Sequence, residues 1–217
     1  MELSMPYIKQ PADSIWCGPA CATMVLKFYG ERITLKRAVK EMRIKSSKGV
    51  TLGKLGSFFL ERGMEATVQA WPSGIPKELR SEKTLRYEDA LTALDRCLKN
   101  ASKNKARTFS KETRAFVKNG GGLILHPHSI DDVRARLEAK APIIRSIDMK
   151  HFLNITRQTG HAIVEYGITG CDSQVTQPYV YVHDPFRGPG KFISVQKMID
   201  ACNSWCGMAL YVIPKAA

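Results

Sequence analysis

The stretch "QPADSIWCGPACATMVLKFYG", Gln10 to Gly30, places a thiol immediately before a Gly-Pro pair and a long apolar run. Ala20, Cys21, Met24, Val25 and Phe28 recur at helical spacing, which predicts a helix from about Gly18 to Tyr29 that stops at Gly30. Cys17 therefore falls at a helix N-terminus, where unpaired N–H groups and the positive end of the dipole favour thiolate over thiol. A merely structural cysteine has no need of that junction and fits anywhere along the apolar run. As a nucleophile Cys17 needs an imidazole within hydrogen-bond reach, and the imidazole in turn needs a carboxylate or amide to orient it.

Five histidines are available: His126, His128, His151, His161 and His183. His161 opens the apolar segment "HAIVEYGI" directly after "QTG", so its ring stands at the mouth of a predicted strand. Asp184 ends the segment "YVYVHD", just before Pro185. If the two segments are neighbouring antiparallel strands, one entered at His161 and the other left at Asp184, both residues arrive at the same sheet edge. Strand alternation points His183 to the face opposite Asp184, which disfavours it as the base. Spacing alone leaves a second reading of each residue open, because a strand histidine is often structural and an Asp before Pro is often a turn residue.

The elements that must position these groups are legible in part. Thr34 is placed to cap a second helix carrying Leu35, Ala38, Val39 and Met42. Thr51 is placed to cap a third, carrying Leu52, Leu55, Phe58 and Phe59 and closed by Gly63. "EATVQAW" alternates as a strand does. "PSGIP" at Pro72 to Pro76 breaks the pattern, Tyr87, Leu91, Leu94 and Leu98 form one face of an amphipathic helix, and "NGGG" at Asn119 to Gly122 ends a basic run. The more polar and basic stretch 72–122 reads as a mainly helical insertion within a single domain spanning 1–217. After it, Ser129 caps the helix "IDDVRARLEAK", followed by strands "PIIRSI", "HAIVEYGI" and "YVYVHDP", the helix "SVQKMIDAC" and a closing strand "GMALYVI". Helices first and mostly consecutive strands later predict an α+β fold with an antiparallel sheet.

Composition narrows the function classes. The 217 residues, 44% hydrophobic and 24% charged, suit one well-buried soluble domain. No apolar segment approaches the roughly 20 residues a membrane-spanning helix needs. "MELSMPYIKQ" has neither a basic leader nor an apolar core, which predicts a cytoplasmic protein or one exported without a signal peptide. Six cysteines (Cys17, Cys21, Cys97, Cys171, Cys202 and Cys206) are too sparse for a disulfide framework. The Cys-x-x-x-Cys spacing of Cys17/Cys21 and Cys202/Cys206 raises zinc as a rival, but the first pair enters a helix at i, i+4, and no metal or other cofactor is expected. The net charge of +13 suits an anionic partner and concentrates at 96–118, where Arg96, Lys99, Lys103, Lys105, Arg107, Lys111, Arg114 and Lys118 are opposed only by Glu112. Such runs are mostly solvated helical faces. With only Phe109 and Phe116 as aromatics and no recognised motif, the run argues against nucleic acid as the partner.

"Q…DSIWCGPACATMVLKFYG", "GHAIVEYG" and "YVYVHDPF…GPGKFISVQKMIDA" together resemble the bacteriocin-processing, double-glycine-leader peptidases and their stand-alone relatives in the papain-like superfamily. "SIDDVRARLEAKAPIIRSI" is similar to the helix-then-strand element that precedes the histidine there, so the resemblance covers roughly Met5 to Ala70 and Ser129 to Ile213. It implies a papain-like fold, an N-terminal helical half carrying the cysteine packed on a C-terminal antiparallel sheet carrying His and Asp. It implies Cys17 as nucleophile, His161 as general base and then acid, and Asp184 as the residue orienting the imidazole. Gln10 would donate to the oxyanion beside the Cys17 N–H, although it precedes Cys17 by seven positions and its loop must bulge. The implied partner is a peptide or protein substrate. Leader cleavage itself is less well supported, because the family's processing domains are typically fused to membrane transporters and no transporter segment is present here. Three readings stay open: a cysteine peptidase or amidohydrolase working through a Cys17 thioester, an acyl or peptidyl transferase using the same acyl-enzyme, and a non-catalytic peptide-binding module.

Overall fold

The structure, a computed structural model, describes residues 1–44, 49–71, 80–100, 104–153, 156, 159–169, 177–204 and 207–215. The "PSGIP" break, Cys171, Trp205 and Cys206 lie outside the described residues. Helix α1 (Cys17–Phe28) is buried without interruption from Gly18 to Leu26. A helix apolar on every side belongs inside the molecule, and α1 lies against the central strand that carries His161. On another side the helix is tight as well, since a Cβ on Gly18 would fall 2.3 Å from Val50 Cγ1. The helix ends as expected at Gly30, whose φ of 87° is natural only to glycine, with Glu31 N–H donating back to Leu26 O at 2.9 Å.

Helices α2 (Leu35–Glu41) and α3 (Leu52–Leu60) start at Thr34 and Thr51, whose hydroxyls accept from Arg37 N–H and Lys54 N–H. Caps of this kind contribute about 1 kcal/mol each. Strand β1 (Met64–Gln69) precedes two helices, α4 (Tyr87–Asn100) and α5 (Asn104–Lys118), and then strand β2 (Gly122–Ile124). Helix α6 (Ile130–Glu138) opens with a full capping box in which Ser129 and Asp132 satisfy one another's N–H groups. Strand β3 (Ile143–Asp148), helix α7 (Met149–Leu153), strands β4 (Gly160–Ile168), β5 (Tyr179–Asp184) and β6 (Gly188–Ser194), helix α8 (Val195–Asn203) and strand β7 (Met208–Pro214) complete the chain. None of the helices among the described residues is long and apolar enough to cross a membrane.

The fold is α+β, with one seven-stranded sheet in the order β2-β1-β7-β3-β4-β5-β6. Every pairing is antiparallel except β1 with β2, which are parallel because the α4–α5 hairpin carries the chain back across the sheet before β2 begins. Helices cover both faces. Side chains of α1, α3, α4 and α5 pack with Ala162, Val164 and Tyr166 on one side, and those of α6, α7 and α8 with Ile163, Ile168 and Val182 on the other. The sequence led us to expect one helical half on a sheet; the second helical layer follows from β4 being apolar on both faces.

Two polar features inside this frame matter later. Arg145 on β3 and Glu165 on β4, both fully buried, form a bidentate pair at 2.5 and 2.8 Å, with Arg145 also donating to Cys202 Sγ at 3.7 Å. The basic run of α4 and α5 is a solvated face: Lys99, Arg107, Lys111 and Lys118 are exposed, and Arg114 pairs with Asp95 at 2.6 Å. Phe116 is not offered to a partner. It is fully buried, with its ring filling the space that Cβ atoms on Gly56 and Gly121 would occupy.

Helix α5 approaches α3 so closely that a Cβ on Gly53 would stand 2.8 Å from the Thr113 backbone nitrogen. Backbone cannot swing aside as a side chain can, so Gly53→Ala should lower stability by about 1–3 kcal/mol, the usual range for overpacking. The midpoint of urea unfolding checks this, and an unchanged midpoint would mean that the helices are not in contact at this point.

Candidate active site

The first turn of α1 meets the beginning of β4. Cys17 is partly accessible there, at the first residue of its helix, with Trp16 in the N-cap position. The His161 side chain and the N–H groups of Ala162 and Gly18 stand close enough to the thiol to favour its charged form. His161 Nε2 meets Asp184 Oδ1 at 2.8 Å, which leaves Nδ1 as the ring nitrogen for the thiol. His161 and Asp184 are both nearly inaccessible to solvent. One ring thus stands between a sulfur at a helix N-terminus and a carboxylate at the end of the neighbouring strand.

The electrostatics follow from that joining. Burial opposes a charge on Cys17, but the hydrogen bond and positive charge of His161, helped by the Ala162 and Gly18 N–H groups, bring its pKa below the ordinary thiol value. Burial likewise opposes a charge on His161, yet hydrogen bonds to Asp184 and Cys17 and the charges of both raise it to about 9. Burial pushes against ionised Asp184, and His161 together with the N–H groups of Phe186 and Arg187 more than compensates, holding that carboxyl below the usual range. All three shifts run toward the charged forms: thiolate, imidazolium and carboxylate.

Asp184 fills both of the roles its position in the sequence allowed. Its Oδ1 accepts from Phe186 N–H at 2.9 Å and Arg187 N–H at 3.1 Å, a turn-closing arrangement, while also holding His161. Gln10 is buried beside this turn: its backbone N–H donates to Pro185 O at 2.9 Å, and its Nε2 donates to Ser14 O at 2.8 Å. That second bond closes the loop between Gln10 and Cys17 and accommodates the long spacing. Among the described residues the second N–H of the amide has no partner.

The other histidines are engaged elsewhere. His128 Nε2 contacts Gly207 O at 2.9 Å, His151 contacts Asp148 at 3.1 Å, and His126 contacts Glu82 at 3.3 Å. His183 accepts from Gly190 N–H on Nδ1 at 3.2 Å, so its Nε2–H donates to Met5 O at 3.0 Å. It pins the N-terminal segment to the β5–β6 hairpin. Tyr7 adds to this clasp with its hydroxyl 3.3 Å from the carbonyls of both Asp184 and Pro185. Nothing in the sequence marked Tyr7 or the Phe186 and Arg187 amides, because their roles depend on contacts between the two ends of the chain. Cys21, one turn below Cys17, is fully buried, and burial raises its pKa well above the ordinary value. Among the described residues no three His, Cys, Asp or Glu side chains stand close enough to hold a metal ion.

Residues 2–209 match the Peptidase_C39 like family, nearly the whole chain. The protein belongs to that family. Among curated proteins none matches this C39-like chain in sequence. Similar solved structures include a double glycine motif protease from an AMS/PCAT transporter in complex with the leader peptide, 17% identical, with 99% of this chain and 94% of that one covered and a TM-score of 0.49. The peptidase domain of Streptococcus ComA, a bi-functional ABC transporter involved in a quorum sensing pathway, is 14% identical over 98% of this chain and 99% of that one, with a TM-score of 0.49. A C39-like peptidase from Bacillus anthracis is 12% identical over 99% and 96%, with a TM-score of 0.45. In this C39-like chain the cysteine-bearing helix lies against a sheet that carries His161 and Asp184.

The charge state of the site can be read by alkylation. Because the Cys17 pKa is lowered, its thiolate persists as pH falls below the range of ordinary thiols, so iodoacetamide should modify Cys17 rapidly at pH 6–7 while the other cysteines react slowly. His161→Ala removes both the hydrogen bond and the charge, and burial then drives the pKa up, so the rate at pH 6–7 should fall about tenfold for each unit of that rise. Equal rates in the two proteins would show that His161 does not control the thiol.

Proposed function

We propose that the protein is a cysteine peptidase that hydrolyses a peptide or amide bond through a thioester on Cys17. The observation that carries this reading is the place of His161 between two partners, with Asp184 Oδ1 2.8 Å from its Nε2 and the Cys17 thiol near enough to raise its pKa. Membership of the Peptidase_C39 like family supports the same chemistry.

In this reading the Cys17 thiolate attacks the carbonyl carbon and the carbonyl oxygen becomes an oxyanion. The Cys17 N–H at the mouth of α1 and the uncommitted N–H of Gln10 receive that charge, and donors so placed contribute about 2.7–4 kcal/mol each. The tetrahedral species collapses as the C–N bond breaks, and His161 gives its proton to the departing amine. The neutral imidazole then takes a proton from water, whose oxygen attacks the thioester and returns Cys17 as thiolate with His161 protonated. Asp184 keeps the ring in the orientation and tautomer that both halves of the cycle need.

Cys17→Ala and His161→Ala should each abolish Cys17-dependent cleavage of a peptide library while leaving circular dichroism unchanged; wild-type turnover in either variant overturns the assignment. On a peptide from that library, kcat/KM should fall on the alkaline side near pH 9, where the folded protein loses the His161 proton. Asp184→Asn removes an interaction that raises the His161 pKa, so the alkaline limb should move to lower pH and the rate should drop by about 10²-fold or more. Gln10→Ala should lower kcat by about 10²-fold with little change in KM, as expected of a donor used only in the transition state.

A further inference from the structure

The two edges of the sheet are treated differently. Beside β2, the N–H groups of Ser81 and Leu85 donate to Leu125 O at 3.0 Å and Leu123 O at 2.8 Å, which covers that edge. Strand β6 is the last strand at the other edge and pairs only with β5. Strand alternation fixes which of its groups point outward. Thr169 N–H donates to Tyr179 O at 2.8 Å and Tyr179 N–H to Thr169 Oγ1 at 3.2 Å, so Tyr179 turns its main-chain groups toward β4. Val180 and Val182 then turn theirs toward β6, where they meet Ile193 and Lys191, and Val195 N–H continues that ladder to Pro178 O at 3.0 Å. Phe192 falls between these positions and turns its N–H and C=O away from the sheet. Pro189 blunts the start of the edge, which leaves the second half of β6 open.

The two faces of this open edge differ in chemistry. Phe192 stands opposite Tyr181 with ring centroids 4.5 Å apart, on the sheet face that also carries Tyr166. The helices that bury Tyr166 leave Phe192 61% exposed, and Tyr179, two residues from Tyr181 on the same face, is 40% exposed. Lys191 and Ile193 point to the opposite face, where Ile193 packs with Val180 and Val182 beneath α8. There Lys191 shares a cleft of about 580 Å³ with Arg187 and Lys197. All three cations are exposed, and none takes part in an ion pair among the described residues. The one carboxylate in that cleft's wall, Asp184, is already committed to His161.

A strand laid beside β6 has its side chains sorted by this edge. The residue that exchanges main-chain bonds with Phe192 places its side chain on the aromatic face, and its two neighbours place theirs on the cationic face. The first position favours a large apolar group and the flanking ones favour carboxylates. A second copy of β6 does not fit, because pairing about a two-fold axis sets the cations of one copy beside those of the other. Nucleic acid answers the cations but leaves the outward N–H and C=O of Phe192 without a ladder partner. A large aromatic left bare on an open edge invites strand pairing, which is how such edges aggregate when nothing seats there.

We infer that the outer edge of β6 takes up an extended segment of a partner protein as a further strand, in which large apolar and acidic residues alternate. The apolar residues seat against Phe192 and Tyr181, and the acidic ones face Lys191, Arg187 and Lys197. Main-chain bonds supply the affinity of such a site and the alternation supplies its selectivity. The site does not depend on the peptidase reading and makes no use of Cys17.

The probe is a fluorescein-labelled octapeptide alternating Leu and Glu, set against a permutation in which all Leu precede all Glu. The permutation keeps composition and charge and loses the alternation. Both are offered to the full chain carrying Cys17→Ala, so that neither is cut and the result stands apart from the peptidase assignment. The alternating peptide should bind at least about tenfold more tightly by fluorescence anisotropy, with its affinity falling as salt is raised. Hydrogen exchange at the Phe192 amide should slow by about tenfold or more when that peptide is bound. Phe192→Ala and Lys191→Glu, both at exposed positions, should each weaken binding by about fivefold or more with circular dichroism unchanged. Equal binding of the two peptides, a Phe192 amide that stays unprotected, or a preference that survives both substitutions overturns the inference. A single-stranded oligodeoxythymidylate that displaces the peptide through Lys191 makes the occupant a nucleic acid and overturns it as well. So does dimerisation through Phe192, seen by sedimentation, in a protein that takes up neither peptide.

Discussion

One imidazole ring holds the two halves of this molecule's chemistry together. Removing Cys17, His161 or Asp184 from water is unfavourable for its charged form when each is taken alone, and it is the neighbouring group that favours that form in each case. The sulfur comes from the first residue of α1, the ring from β4 and the carboxylate from the end of β5. Everything else in the fold serves to bring those three backbone positions within the reach of one side chain. Helix α1 is buried along most of its length because it must lie against β4, and Gly18 is bare because Val50 fills the space beside it.

The carboxylate end is held from two directions. The turn after β5 is closed on Asp184 itself, and the N-terminal segment is fastened over it by Tyr7, the Gln10 amide and the His183–Met5 bond. Gln10 is therefore part of a strap tied to the Asp184 turn, so in the proposed mechanism the oxyanion donor and the residue that orients the base are fastened to one another. The strap spans positions more than 170 apart in the chain, which is why it is expensive in loop entropy and worth several separate fastenings.

Local signals carried most of what the sequence reveals. Thr34, Thr51 and Ser129 cap the helices they precede, and Gly30 and Gly63 end the helices before them, because each contact is made within a few residues. The meeting of His161 with Asp184 is legible as well, since antiparallel direction and strand ends suffice to derive it. Long-range geometry is not. The parallel β1–β2 pairing depends on a helical hairpin crossing the sheet, and β6 and α7 are too short or too irregular in pattern to announce themselves. Phe116 is the instructive case: set in a run of lysines and arginines it looks available, but amphipathic α5 turns it inward against glycines on other elements.

The Arg145–Glu165 pair has a bearing on the site although it touches none of its members. The two residues belong to β3 and β4, where Arg145 stands opposite Ile163 and Ile143 opposite Glu165, so their bond runs diagonally across a single register. Were β4 to slide by one residue, the guanidinium would be stranded in hydrocarbon, a loss of about 3–5 kcal/mol, and every side chain of the strand would exchange faces. His161 would then turn away from Asp184. The ion pair thus acts as an alignment key, cut into the sheet two turns of the pleat away from the chemistry, that admits only the strand setting in which the imidazole can work.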